Sequence, residues 1–242
     1  FITNQYDDTI YTDSYIRLET SFEKIESKTF DIEPNIDIRI KLAKLEDKLS
    51  ITLDNNTNKI NQNYQDSSEK SDFKDDDYSI GLIYNTIKKN INLKFKIGAK
   101  VSSSSYLYAK TEVKKKIQLN DANNIILQQK LKYSNKYKLD NYSSIKYNYR
   151  INNQFLFSNY NEYYINSKIK NNNLYNSLRI NQKLSNKNYL NYVTSINSNN
   201  MDTNFNIKIY NTYISYRKYI RKWLYYDILS NIEWKRENDF HK

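Results

Sequence analysis

Cysteine is absent from this chain of 242 residues, so neither disulfides nor thiolate metal sites enter its chemistry. Proline occurs once and glycine twice, which excludes collagen-like and proline-rich linker readings. No stretch approaches the roughly 18 consecutive apolar residues that a membrane-spanning helix needs, and the mean hydropathy is −0.90. Phe1 is followed by neither the basic nor the apolar region of a secretory signal, so any such signal is expected to have been removed. Histidine occurs once, at His241 beside the C-terminus. Acyl-transfer and hydrolytic sites generally need an imidazole near a hydroxyl and a carboxylate or amide partner, and no Gly-rich phosphate loop or zinc spacing is present. The expectation is therefore no enzyme: no catalytic residue, no cofactor and no metal.

What the chain has is alternation. From Thr29 to Leu42, Phe30, Ile32, Pro34, Ile36, Ile38, Ile40 and Leu42 hold the even positions, while Thr29, Asp31, Glu33, Asn35, Asp37, Arg39 and Lys41 hold the odd ones. A period of two makes a strand with one apolar and one charged face; a helix would scatter those charges around its axis. From Ile91 to Val101, Ile91, Leu93, Phe95, Ile97, Ala99 and Val101 alternate with Asn92, Lys94, Lys96, Gly98 and Lys100. Ile16, Leu18, Thr20 and Phe22 stand against Tyr15, Arg17, Glu19 and Ser21. Near the C-terminus, Leu224, Tyr226, Ile228, Ile232 and Trp234 keep one parity, and weaker segments lie between, of which Gln154–Tyr163 is the weakest. The pattern gives about thirteen strands, most near the ~9–11 residues that a tilted membrane strand requires.

Connections alternate in length. Segments 43–48, 88–90, 152–153, 185–188 and 220–222 are tight, whereas 54–77 is long and polar. Such asymmetry suits an outer-membrane barrel with tight periplasmic turns and longer extracellular loops. Low mean hydropathy is compatible with it, because only every second residue of a barrel strand meets lipid. The predicted fold is all-β, an antiparallel up-and-down transmembrane β-barrel, with residues 1–13 a periplasmic lead-in, 14–242 the barrel and 54–77 an extracellular loop.

Charges fall almost wholly on the parity opposite the apolar set. An Arg or Lys at the bilayer midplane costs about 2–4 kcal/mol, so their absence is what a lipid face requires. The residues expected toward lipid are Ile16, Leu18, Ile36, Ile38, Ile40, Leu93, Phe95, Ile97, Leu224, Ile228 and Ile232. Those expected to line the lumen begin with a mixed set, Arg17, Glu19, Asp31, Glu33, Asp37, Arg39 and Lys41. A mostly basic set follows: Lys94, Lys96, Lys100, Lys110, Glu112, Lys114, Lys130, Lys132, Lys146 and Arg150. These charges either pair across a solvated interior or favour anions by raising their local concentration. Asn159, Asn176, Gln129 and Gln182 break the pattern by falling on the lipid parity, and Phe205, Ile207 and Ile209 are out of phase with Thr212 and Ile214, which predicts a bulge or an extension beyond the membrane.

The formal net charge is +11. Nucleic-acid modules gather Lys and Arg on an accessible patch, whereas here they recur at strand parity, so no nucleic-acid partner is expected. The 25 tyrosines say less by number than by place, since AT-rich codons favour Tyr, Asn, Lys and Ile alike. Trp223, Tyr225, Trp234, Tyr133, Tyr147 and Tyr189 fall toward strand ends, where interfacial aromatic girdles sit.

Two stretches, YIRLETSFEKIESKTFDIEPNIDIRIKLAKLEDKLSITLDN (15–55) and KWLYYDILSNIEWKRENDF (222–240), resemble a family of uncharacterised outer-membrane barrel proteins of Gram-negative bacteria. The resemblance implies a barrel and no established activity. It also implies a final strand beyond Lys242, making an expected fourteen, with twelve as the alternative even number. Two functions follow as expectations. One is a passive porin-like pore for small hydrophilic solutes with mild anion preference. The other is a non-conducting barrel that docks a periplasmic protein, a lipoprotein or a surface polymer. A soluble secreted β-protein is the third reading.

Overall fold

The computed structural model describes residues 14–23, 31–41, 48–55, 78–88, 90–101, 105–168, 171–200, 206–221 and 224–236. The lead-in 1–13 and residues 56–77 of the long loop lie outside them. Every regular element described is a strand: β1 (Tyr15–Glu23), β2 (Asp31–Lys41), β3 (Leu49–Asn55), β4 (Tyr78–Lys88), β5 (Ile91–Val101), β6 (Tyr106–Gln118), β7 (Asn123–Ser134), β8 (Lys138–Arg150), β9 (Phe155–Asn166), β10 (Asn171–Lys183), β11 (Asn188–Asn200), β12 (Asn206–Tyr219) and β13 (Tyr225–Lys235). They hydrogen-bond in chain order as one thirteen-stranded sheet, and every register described is antiparallel. The described residues thus form an all-β, up-and-down antiparallel sheet. The chain divides into two compact units: Lys114–Gln129 with the segment from Asn141 onward, and the described residues up to Val113 with Lys130–Asp140.

In the unit that contains β1 to β5, the register aligns apolar side chains into rows. Ile16 faces Ile38, Ile38 faces Leu53, Leu53 faces Ile80 and Ile80 faces Ala99. A second row runs Ile40, Ile51, Leu82 and Ile97. These rows are exposed or half-exposed, reaching 71% at Ile16, and Leu18 on the same face is 73% exposed. Soluble monomers rarely expose contiguous apolar patches beyond a few hundred Å². The opposite face carries Arg39, Thr52, Gly81 and Gly98 in one row, and Ser50, Ile83 and Lys96 in the next. On it Arg39 Nε donates to Ser50 Oγ at 3.1 Å. Burial is thus inverted relative to a water-soluble sheet.

The other unit repeats the inversion. Its exposed face holds Leu178, Ile180, Ile214, Ile228 and Ile232, and its opposite face buries Asn148, Ser158, Glu162, Ser177, Ser195, Asn211 and Ser215. Four of its turns share one geometry. The amide of Leu119, Ile151, Leu184 or Ile220 donates to the carbonyl four residues on, at Asn123, Phe155, Asn188 or Leu224. Asn120, Asn152 and Ser185 occupy the same position in three of them, and each turns its side-chain oxygen onto backbone amides, such as Asn152 Oδ1 onto Phe155 N at 2.9 Å. Local side-chain capping of this kind is why Asn and Ser suit turns.

The phase conflict near Ile207 resolves as a bulge. Asn197 faces Ile209 while Ser198 faces Ile207, so Lys208 is the extra residue of β12.

Candidate functional site

The polar face of β5 to β8, within the unit holding Lys130–Asp140, concentrates the charge. Lys100, Lys130 and Lys132 are 2%, 5% and 5% exposed, and Asp140 is fully buried. Period-two geometry puts Lys96 and Lys100 of β5 on one side with Tyr106 and Tyr108 of β6 and Lys132 of β7. The tight turn after β7 adds Lys136 and Tyr137. That turn is set locally: Ser134 Oγ accepts Tyr137 N at 2.9 Å, and Asn135 Oδ1 accepts Leu107 N at 3.2 Å.

Three ammonium groups from three places converge on one ring. Lys100, Lys132 and Lys136 place Nζ at 5.7, 5.7 and 5.8 Å from the Tyr106 centroid. Lys96 and Lys132 each stand 5.6 Å from the Tyr108 centroid, and Lys136 lies 4.8 Å from that of Tyr137. Tyr106 and Tyr137 meet edge to face at 5.3 Å. Ring faces attract cations by about 0.5–2 kcal/mol per contact. That offsets only part of the several kcal/mol needed to bury each charge.

The only two glycines of the chain face each other across β4 and β5, Gly81 opposite Gly98. A Cβ on Gly98 would lie 2.8 Å from the Tyr108 hydroxyl and 2.6 Å from the Ile80 carbonyl. One on Gly81 would lie 2.9 Å from Lys96 Cε. The pair forms a notch that seats Tyr108 and the Lys96 stem.

The unit from Asn141 onward presents a different polar face, rich in neutral groups. Tyr142 stacks on Tyr164 at 4.5 Å. Asn148 donates to Asn124 at 2.8 Å and accepts from Ser158 at 2.7 Å, and the Tyr160 hydroxyl donates to Glu162. At the tight-turn end Arg217 makes a bidentate pair with Asp227 at 2.7 and 2.6 Å while stacking over Tyr225 at 4.3 Å.

Of the residues expected on the apolar side, Ile16, Leu18, Ile36, Ile40, Phe95, Ile97, Leu224, Ile228 and Ile232 are exposed, and Ile38 and Leu93 half-exposed. Of the charged set, Arg39, Lys100, Lys130 and Lys132 are buried. Asp37, Lys94, Lys96, Lys110, Glu112, Lys114 and Lys146 are half-buried, and Arg150 is exposed at the last residue of β8. The side chains of Arg17, Glu19, Asp31, Glu33 and Lys41 lie outside the described residues. Reasoning from sequence missed Tyr106, Tyr108, Tyr137, Asp140 and Glu162; only the parity that Tyr106 and Tyr108 share with the lysines of their strand pointed to them.

The polar residues on the exposed face satisfy one another. Asn176 donates to Asn161, which donates to Asn159 at 2.6 Å. Gln129 donates to Asn141 and accepts from Ser143 at 2.7 Å. Thr194 bonds Thr212 at 3.2 Å, and the Tyr192 hydroxyl donates to Gln182 at 3.2 Å.

No family model matches the chain, and no curated protein sequence does. One solved structure, described as a NanC porin in a rhombohedral crystal form, is similar at 10% identity with a TM-score of 0.39, over 65% of this chain and 91% of that one.

Proposed function

We propose that the chain is a β-barrel of the Gram-negative outer membrane that acts as a passive pore for small hydrophilic solutes, with a mild preference for anions. The observation that carries this is the inverted burial. Isoleucines and leucines predominate among the large exposed apolar side chains, and buried polar side chains, Lys, Asn, Ser and Asp among them, outnumber buried apolar ones. Water penalises that arrangement and hydrocarbon rewards it, since in lipid every backbone polar group must be satisfied within the sheet and every second side chain can be apolar. The long connections then lie at the extracellular end and the four matching turns at the periplasmic end. The lysine-rich face supports the preference for anions, because ammonium groups along a wall raise local anion concentration. The proposal gives the chain no catalytic step.

A specific observation favours a second reading, a non-conducting barrel that docks a partner. Tyr142, Tyr160, Tyr164 and Tyr213 are buried on the polar face and crowd it with rings. Conductance across planar bilayers separates the two. An open pore gives stepwise conductance, with a reversal potential in a KCl gradient displaced toward chloride. Silence from folded full-length protein contradicts the pore and leaves the docking barrel.

A further inference from the structure

We infer that the exposed face of β7 to β12 is a contact surface for a second copy of this chain, joined through a belt of amides and hydroxyls at mid-strand. The contact rests on the membrane-barrel reading and goes beyond it, by giving one stretch of the outer wall a partner.

Six polar side chains make the belt: Gln129 on β7, Ser143 on β8, Asn161 on β9, Asn176 on β10, Thr194 on β11 and Thr212 on β12. Each stands near the middle of its strand. Hydrogen bonds join Gln129 to Ser143, Asn176 to Asn161 and Thr194 to Thr212. On the same face, Leu174 and Leu178 flank Asn176 along β10, and Tyr192 and Ile196 flank Thr194 along β11. Apolar and aromatic groups thus bound the belt on both sides, unlike polar residues that reach for headgroups from strand ends. In the barrel reading it lies at mid-membrane, where lipid offers only hydrocarbon. The two exposed rows that cross β2 to β5 contain Ile, Leu and Ala alone. An Asn-rich composition therefore does not by itself put amides on the outer face.

The bonding capacity of the belt is only partly used. Asn176 donates to Asn161, which donates to Asn159. Among the described residues, nothing is bonded to Asn159 Nδ2 at one end of this ladder or to Asn176 Oδ1 at the other. Hydrocarbon satisfies neither end, whereas a neighbouring protein surface with polar groups at the same depth can hold both. A two-fold axis sets one patch against itself, and a ladder with an open donor end and an open acceptor end offers its own copy what each lacks. Like charges would repel in that arrangement, and the belt carries none. The face is also wide enough. Six strands about 4.8 Å apart by an apolar band about 25 Å tall give roughly 600 Å² before side-chain relief, against about 800 Å² per partner in a standard interface.

The chain has no native cysteine, so single cysteines report the contact. Full-length protein in phosphatidylcholine vesicles is oxidised with copper phenanthroline. L178C, beside Asn159 and Thr194 on the belt, is expected to form disulfide-linked dimers. L82C, in an exposed row of β4, is expected to form far fewer. Energy transfer between labelled copies on dilution with lipid gives the dissociation constant. N159L/N161L/N176L, which removes the whole ladder, is expected to raise it at least about ten-fold. Should that variant not fold, T194V/T212V is expected to raise it about three-fold. Equal crosslinking of L178C and L82C overturns the contact, as does an unchanged dissociation constant in whichever variant folds. Vesicle flotation separates this from the membrane reading. Protein that floats as a monomer keeps the barrel and ends the contact; protein that stays in the aqueous phase yet crosslinks through L178C does the reverse.

Discussion

Single residues carry tensions that the fold tolerates for a reason. Lys138 opens β8 with φ of 65°, a left-handed conformation that costs a non-glycine residue roughly 1–2 kcal/mol. A three-residue hairpin loop ends in that conformation, so the turn geometry, not the lysine, sets it. Lys138→Gly is expected to stabilise the chain by about 1 kcal/mol, read as a raised urea midpoint with an unchanged slope. A lowered midpoint would show that the lysine side chain matters more than its backbone. The amide pair on the exposed face makes a second case. Asn161 accepts from Asn176 and also donates to Asn159, so removing Asn161 strands Asn176 and Asn159 together, while removing Asn176 as well leaves only Asn159 unsatisfied. Asn161→Leu alone is expected to cost about 1–2 kcal/mol, and Asn161→Leu combined with Asn176→Leu less. Additive costs in a double-mutant cycle would mean the two amides act separately.

At the scale of elements, legibility followed contrast between the two faces. β2 and β5 were plain because Ile and Phe alternate with Lys, Asp and Arg. β9 looked weakest, yet its side chains alternate between buried and half-buried without a break. Its buried side mixes Leu156, Tyr160 and Tyr164 with Ser158, Glu162 and Asn166, and its other side mixes Phe155, Phe157 and Ile165 with Asn159 and Asn161, so hydropathy there hardly distinguishes the two faces. The bulge at Lys208 was visible as a phase conflict between Ile207 and Thr212, which the register puts on one face, while Ile209 stays on the other. Of the lysines of the candidate site, Lys96, Lys100 and Lys132 were legible from parity alone, and Lys136, in a turn, was not. Their aromatic partners were not, because Tyr fits a pore wall, a girdle and a core equally well, and the convergence of β5, β7 and the following turn on Tyr106 is a tertiary fact. The exposed rows also make a prediction. Ile97→Lys would be nearly neutral on a water-facing strand, but is expected to cost about 2–4 kcal/mol in lipid vesicles. A change within 0.5 kcal/mol would put that row in water.

For the whole molecule, the deciding question is which face meets hydrocarbon. Composition alone did not decide it, since a mean hydropathy of −0.90 suits a soluble chain as readily as a barrel. The alternation, joined to the burial of lysine and the exposure of isoleucine, favours lipid. The absence of native cysteine makes a clean measurement accessible: single cysteines, spin-labelled, in protein reconstituted into bilayers. Labels at Ile97 and Ile228 are expected to relax faster with oxygen, which concentrates in lipid, and labels at Lys96 and at Arg179, which faces Ser158 on the opposite side of the sheet, to respond to a water-soluble nickel chelate or to neither reagent. Nickel access at Ile97 and Ile228, with oxygen access at Lys96 and Arg179, would contradict the account.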